Sequence, residues 1–306
     1  MVVISTKKHA YLIMVHKNTY VLEKLLSQLD YEYNDIYIHV DKKCQNFDWN
    51  RYSKLVKKSQ LFEVKKRVDC TWGNYSLIQA ELNLLSESYN RFNYHYYHLL
   101  SGQDLSLKSQ HDIHKFFDEN YGKIFMTSRN IQKNPKNNFD FTNSIYCRAS
   151  VKRIFLERSK INNYFLKKFL GLLDRIFALF QIKYLKRDLV ESKKIQLAFG
   201  ANWFSIPDTV VKCILNNQSK IFLYFKDAFC PDELFIQTIL KENDIKVENN
   251  NLRLVDWSRG NNAHPHVWRS GDLNQLLSSD KLFARKFDEN IDKKIIDELY
   301  NRVSIE

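Results

Sequence analysis

Proline and glycine are scarce in this sequence, four and seven residues among 306. That excludes long flexible linkers and points to a chain built mostly of regular elements. The five cysteines, Cys44, Cys70, Cys147, Cys213 and Cys230, are odd in number, and no two form a C-x-x-C pair. A disulfide framework or zinc site is therefore not expected, and a reducing compartment is. No stretch approaches about 20 uninterrupted apolar residues, so no membrane-spanning helix is expected. Two lysines interrupt the short apolar run from Met1 to His16, which lacks a signal-peptide core and cleavage site. The expectation is a cytoplasmic protein, at most peripheral on the inner face of the plasma membrane.

Several chemical signatures are missing as well. There is no G-x-x-x-x-G-K-[ST] or G-x-G-x-x-G run to cradle phosphates, no G-x-S-x-G elbow and no H-E-x-x-H helix. No D-x-D triplet occurs, so there is no such carboxylate pair to hold a divalent metal against a diphosphate. Any anionic leaving group must then be neutralised by basic side chains. His264 and His266 stand two apart without an evident third ligand, and loop hydrogen bonding suits them better than metal binding. No metal or cofactor is expected.

What is present is an apolar fraction of 44% and a net charge of +12, enough for a large core and suited to an anionic partner. The length allows two domains or one large α/β domain. Ala10–Val15 is a continuous apolar run of strand length, as in buried parallel strands. Tyr20–Leu29 follows with apolar residues at helical spacing, then a strand over Asp35–Val40 ending at Asp41, and a third over Leu61–Val64. A helix is expected over Ser76–Tyr89, strands over Tyr94–Leu100 and Gly122–Met126, and a strand over Gly200–Ile206. Asp208–Leu215 predicts a short helix, Leu252–Trp257 a late strand, and Asp272–Val303 a polar helical tail. This alternation argues for a parallel, doubly wound sheet, which binds ligands at strand carboxyl ends, where Asp41 and Asp104 fall.

Ser150–Lys194 differs in character. It carries twelve Lys/Arg against four Asp/Glu, with phenylalanine and leucine interleaved. One interpretation is surface helices packed by an apolar face. Another is docking on an anionic membrane through basic residues and aromatic wedges. Nucleic-acid binding is a third, but the charge is confined to one amphipathic stretch and no binding motif occurs.

Two groups of residues could carry chemistry. In Cys230-Pro231-Asp232-Glu233-Leu234 a proline and two acids mark a helix start, where the dipole favours carboxylates. A catalytic base would be rigidly held there, although helix stabilisation alone would also explain the pattern. Late in the chain, Arg259, Arg269, Lys281, Arg285 and Lys286 surround a polar loop, Ser258–His266, suited to phosphate. Trp257 can either pack in the core or stack on a sugar.

These fragments, in this order, resemble the Core-2/I-branching β-1,6-N-acetylglucosaminyltransferases and their bacterial relatives, a family that includes peptide xylosyltransferases. The matching stretches are Ala10–His16, His39-Val40-Asp41-Lys42-Lys43, Thr71-Trp72-Gly73, Leu99–Lys108, Gly200-Ala201-Asn202-Trp203-Phe204, Cys230–Glu233, Val255-Asp256-Trp257 and Asp280–Asp288. About Asn130 to Lys194 lies outside the match. The resemblance implies one GT-A-like α/β domain over residues 1–306, with a basic helical insertion at 150–194. It implies inverting, metal-independent transfer from a UDP-sugar donor, GlcNAc by preference, to a glycan or lipid-linked acceptor. UDP-xylose and UDP-galactose are alternative donors.

By the same resemblance Glu233 is the base, Asp41 contacts the donor nucleoside, Trp257 is the acceptor platform and Lys286 contacts the diphosphate, with Arg269 or Arg259 as second cation. The disulfide cysteines, stem and anchor of animal members are not reproduced, so a bacterial cytoplasmic relative acting in surface-polysaccharide assembly is expected.

Overall fold

A computed structural model describes residues 7–133, 144–260 and 264–303. The first residues of the Met1–His16 stretch and the middle of the Ser258–His266 loop lie outside them. The chain begins β1 (His9–Val15), α1 (Tyr20–Leu29), β2 (Asn34–Val40), α2 (Trp49–Ser53), β3 (Gln60–Glu63), α3 (Ser76–Arg91) and β4 (Tyr96–Ser101). Then come β5 (Asp104–Ser106), α4 (Gln110–Glu119), β6 (Arg129–Asn130), β7 (Ala198–Phe199), β8 (Ser205–Pro207), β9 (Arg253–Val255) and β10 (Phe283–Arg285), with further helices between and after them.

The main sheet runs in the order β3-β2-β1-β4-β8. Its first four strands are parallel, and β8 closes the edge antiparallel to β4. Side chains of β1 alternate between two cores, as strand geometry dictates. Ala10 and Leu12 join Ile78, Leu82 and Leu85 of α3. Tyr11, Ile13 and Val15 join Val21, Leu22, Leu25 and Leu26 of α1. Each buried valine, leucine or isoleucine among them contributes roughly 1.5–3 kcal/mol. Because both faces are covered, β1 and β2 read as unbroken apolar runs, and the expected α/β class is what forms. Thr19 caps α1, its hydroxyl accepting from the Leu22 amide at 3.1 Å. A smaller sheet, β5-β10-β9, sits beside the carboxyl end of β4.

Several expectations are corrected. Gly122–Met126 forms no strand; only Phe125 bridges Ser205. The expected Gly200–Ile206 strand is divided, with β7 before it and β8 at its end. Gly200 lies against residue 127, where an added Cβ would meet the Thr127 carbonyl oxygen at 1.8 Å. The polar tail is not all helix, since β10 lies within it between the helices Leu273–Leu277 and Lys293–Val303. Its apolar core, Leu282–Ala284, is too short between charged neighbours to announce a strand.

The basic stretch 150–194 carries a long helix over Tyr164–Lys183. Its packing reverses the surface-helix interpretation. The residues turned inward include Asp174 and Gln181, 2% and 0% exposed, beside Ala178. Asp174 accepts from Arg153 Nη1 at 3.0 Å and from the Ile154 amide at 3.1 Å. Gln181 exchanges bonds with both the amide and the carbonyl of Lys152. Polar side chains tether this helix; Phe165, Phe169 and Phe180 face out, while Phe177 is half-buried.

Candidate active site

The parallel strands β1, β2 and β4 end together. Asp41, one residue beyond β2, donates its amide to the Val15 carbonyl at 2.8 Å, and its side chain is buried. Asp41 Oδ1 accepts from the Lys43 amide at 2.9 Å, while Oδ2 pairs with Lys43 Nζ at 3.0 Å. Lys43 continues to Asp69 at 2.8 Å, and Asp69 to Lys160 of the insertion at 3.1 Å. His16 follows β1. Burial first, then Lys17, with Lys286 and Arg285, lowers its pKa, opposed by Asp41. His16 thus stands among the groups of both sides, Asp41 and the Arg285–Lys286 pair.

The Arg285–Lys286 backbone is fixed from two sides. Trp268, fully buried, donates its indole N–H to the Arg285 carbonyl at 2.9 Å and its amide to the Lys286 carbonyl at 3.0 Å. The Phe287 amide donates to the Gln103 carbonyl at 2.9 Å. Burial, then the neighbouring Arg285, lowers the Lys286 pKa. Arg285 itself pairs with Asp104 Oδ1 at 2.8 Å, bonds the Ser101 hydroxyl, and lies over the Trp203 ring at 4.6 Å. Asp104 also accepts from the Ser101 amide at 2.8 Å. Asp104 therefore orders the end of β4 and fixes Arg285.

The acidic turn lies at the other end of the Gly200–Trp203 segment. Pro231–Glu233 is a single 3-10 turn, and the α-helix proper starts at Phe235. Glu233 therefore ends a short turn rather than opening a long helix, which weakens the dipole explanation for its position. Its Oε2 accepts from Arg148 Nη1 at 2.6 Å, and its carbonyl accepts from the Gly200 amide at 3.0 Å. The Cys230 amide donates to the Gly73 carbonyl at 3.0 Å. Gly73 has φ of +77° and packs against the Phe229 ring, where a Cβ would approach to 2.8 Å. Trp72 meets that ring edge-on at 5.6 Å. The Thr71-Trp72-Gly73 stretch thus buttresses the acidic turn.

Asp232 points the other way. The turn packs on α3, which carries Glu81, wholly buried. Both Glu81 carboxyl oxygens and Asp232 Oδ1 are buried without a hydrogen-bond partner. Burial, then the adjacent Asp232, holds the Glu81 carboxyl well above the usual range, with the Asn202 amide opposing. Burial, then Glu233, pushes Asp232 up to about 7. Burial and the neighbouring negative charge both disfavour ionisation of these two carboxyls.

The remaining sequence candidates separate. Arg259 is engaged by two carboxylates, Asp256 at 2.5 Å and Asp272 at 2.6 Å, and by Gln275 at 3.1 Å. Hydrogen bonds from Arg259 and His266 help hold Asp272 down at about 2 against the opposing effect of burial. This ion cluster ties Arg259 and His266, on the two described sides of the polar loop, to Asp256 and Asp272. Arg269 is exposed, and among the described residues no carboxylate pairs with its side chain. His266 bonds Asp272 at 2.9 Å, as loop hydrogen bonding requires. Trp257 is 59% exposed; no hydrogen bond or ring contact among the described residues joins it to Glu233 or Asp41. Arg285 is one of the late-chain cations the sequence offers, whereas Arg148, Glu81 and Lys43 have no role assigned from the sequence. Glu81 did leave a signal, an acid on the apolar stripe of Ile78, Leu82 and Leu85. Arg148 left none.

The structure is thus a layered α/β protein whose acids and cations converge at the carboxyl ends of parallel strands. A family model described as "Branch: Core-2/I-Branching enzyme" matches residues 9–278. The chain belongs to the Core-2/I-branching enzyme family and is a glycosyltransferase. It is 23% identical to the Danio rerio beta-1,3-galactosyl-O-glycosyl-glycoprotein beta-1,6-N-acetylglucosaminyltransferase 4, over 94% of this chain and 67% of that protein. It is 23% identical to the Homo sapiens N-acetyllactosaminide beta-1,6-N-acetylglucosaminyl-transferase, over 92% and 68%. A xylosyltransferase of Ciona intestinalis is 21% identical over 94% of this chain and 33% of its own length.

Proposed function

We propose that the protein transfers a sugar, GlcNAc by preference, from a UDP-sugar to a hydroxyl of a glycan acceptor in one inverting displacement that needs no metal. The observation that carries this is the fixing of Glu233. One carboxylate oxygen is held by Arg148 and the backbone by Gly200. That leaves Oε1 to accept the proton of an acceptor hydroxyl.

The acceptor oxygen attacks the anomeric carbon as the bond to the β-phosphate oxygen breaks on the opposite face. The electron pair leaves with UDP, and the proton goes to Glu233. Negative charge grows on the diphosphate, where the positive charges of Lys286 and Arg269 stabilise it. The half-buried Lys286, on a backbone clamped by Trp268 and Gln103, supports that role. Arg259 is already committed to Asp256 and Asp272, which favours Arg269 as the second cation. Asp41 contacts the donor nucleoside, and the open face of Trp257 stacks on the acceptor sugar. The acceptor is a lipid-linked oligosaccharide of bacterial surface-polysaccharide assembly, met at the inner face of the plasma membrane.

The test is Glu233→Gln against a panel of UDP-GlcNAc, UDP-xylose and UDP-galactose, with and without EDTA. Turnover should fall about 10²–10⁴-fold, with UDP affinity retained and EDTA without effect. Turnover near wild type would remove Glu233 from the chemistry, and strict manganese dependence would refute the cation scheme. The relatives' names carry both GlcNAc and xylose, so the panel decides the donor.

A further inference from the structure

Nine of the seventeen large hydrophobic residues exposed on the described surface lie between Tyr164 and Leu185. Such clustering marks an interaction surface, whereas single exposed hydrophobics do not. Phe165, Phe169, Leu172, Ile176 and Phe180 recur at spacings of four, three, four and four, one continuous stripe along the helix. Phe165 is 81% exposed. The opposite face holds Asp174, Ala178 and Gln181, whose polar bonds to Arg153, Ile154 and Lys152 fix which way the helix turns. The apolar stripe therefore cannot rotate inward without breaking buried polar bonds.

The charge around the stripe is of one sign. From Ile161 to Arg187 there are six cations, Lys167, Lys168, Arg175, Lys183, Lys186 and Arg187, all exposed. The sole acid, Asp174, is buried against Arg153. No helix among the described residues is long and apolar enough to cross a membrane. An apolar stripe flanked by cations suits a helix lying in the interface of an anionic bilayer. Against a second copy of the chain, the same cations would face one another.

We propose that the Tyr164–Lys183 helix docks on an anionic lipid surface, with Phe165, Phe169, Leu172, Ile176 and Phe180 inserted among the acyl chains and the lysines and arginines on the headgroups. Docking sets the active-site mouth beside the bilayer. Arg148, just ahead of the basic stretch, holds Glu233. Lys160, four residues before the helix, reaches Asp41 through Asp69 and Lys43. Delivery of a lipid-linked acceptor to that mouth rests on the transfer scheme above, whereas docking itself does not.

The experiment is co-sedimentation of the full chain with phosphatidylcholine vesicles and with vesicles containing phosphatidylglycerol. It compares wild type with Phe165→Ser/Phe169→Ser/Phe180→Ser and with Lys168→Glu/Arg175→Glu, alongside turnover on a soluble acceptor and light scattering. Wild type should bind anionic vesicles at least about tenfold more tightly than neutral ones, and either variant should lose about tenfold or more. Circular dichroism and turnover should be unchanged, since the altered side chains are exposed. Binding that is absent in wild type, or equal in the variants, overturns docking. So does a wild-type dimer that the phenylalanine variant dissociates, which would assign the stripe to a second copy. Vesicle binding lost in the variants, with no turnover in any form, would leave docking intact and count against the transfer scheme.

Discussion

The Arg148 guanidinium lies 2.6 Å from the Glu233 carboxylate across 85 residues of chain. Arg148 sits in the helix Ile145–Ser150, just ahead of the basic insertion, and its carbonyl accepts from the Phe229 amide at 2.9 Å. The helix leading into the basic stretch is therefore part of the acidic turn's scaffold. Arg148 holds one carboxylate oxygen, and in the proposed transfer the other takes the proton of the acceptor hydroxyl.

Arg148→Ala should lower kcat about 10- to 100-fold through misplacement of Glu233, with UDP affinity near wild type. Arg148→Lys should recover part of the loss. The pair is partly exposed, so Tm should move little, in keeping with about 0–1 kcal/mol for such pairs. Steady-state kinetics with calorimetric UDP titration check this, and a loss of UDP binding with unchanged kcat would contradict it.

The buried Glu81–Asp232 pair should make stability pH-dependent. Both acids have folded pKa values above their unfolded ones, with Asp232 near 7. Between about pH 4 and 7 the native state holds more protons than the unfolded chain, so the pair's contribution is full below pH 4 and declines as pH rises. The buried His9 and His98, with lowered pKa values, act in the opposite direction, so the informative quantity is variant minus wild type. Asp232→Asn and Glu81→Gln should each flatten the decline in Tm from pH 5 to pH 8, measured by thermal denaturation. Slopes parallel to wild type would show that the pair does not share protons.

Arg259 and Arg269 should separate cleanly. Arg259→Ala strips Asp256 and Asp272 of their partner and should lower Tm. Arg269→Ala should leave Tm unchanged and weaken UDP binding about tenfold, the scale of one charge-assisted hydrogen bond. Thermal shift with and without UDP distinguishes them, and the reverse pattern would assign Arg259 to the diphosphate.

Local pattern made β1, β2, α1 and α3 legible. Strands buried on both faces must be apolar throughout, and helices covering them must carry a stripe. The ends of β1 and β2, and with them Asp41, followed from the same rule. β10 did not, because three residues flanked by charges carry no period. The Gly200–Ile206 stretch misled because its break at residue 200 depends on contact with Thr127, which no local signal records.

Periodicity determined the α/β class, and the order of short motifs determined the family through their resemblance to it, since covalent neighbours and periodicity are properties of the sequence itself. Tertiary structure alone decided that Arg148 meets Glu233, that Glu81 lies under Asp232, and that Arg259 is tied down while Arg269 is not. It also decided which face of the basic helix turns outward. An amphipathic pattern fixes two faces but not their direction, and here two buried polar side chains, Asp174 and Gln181, settle it by the partners they find across the fold.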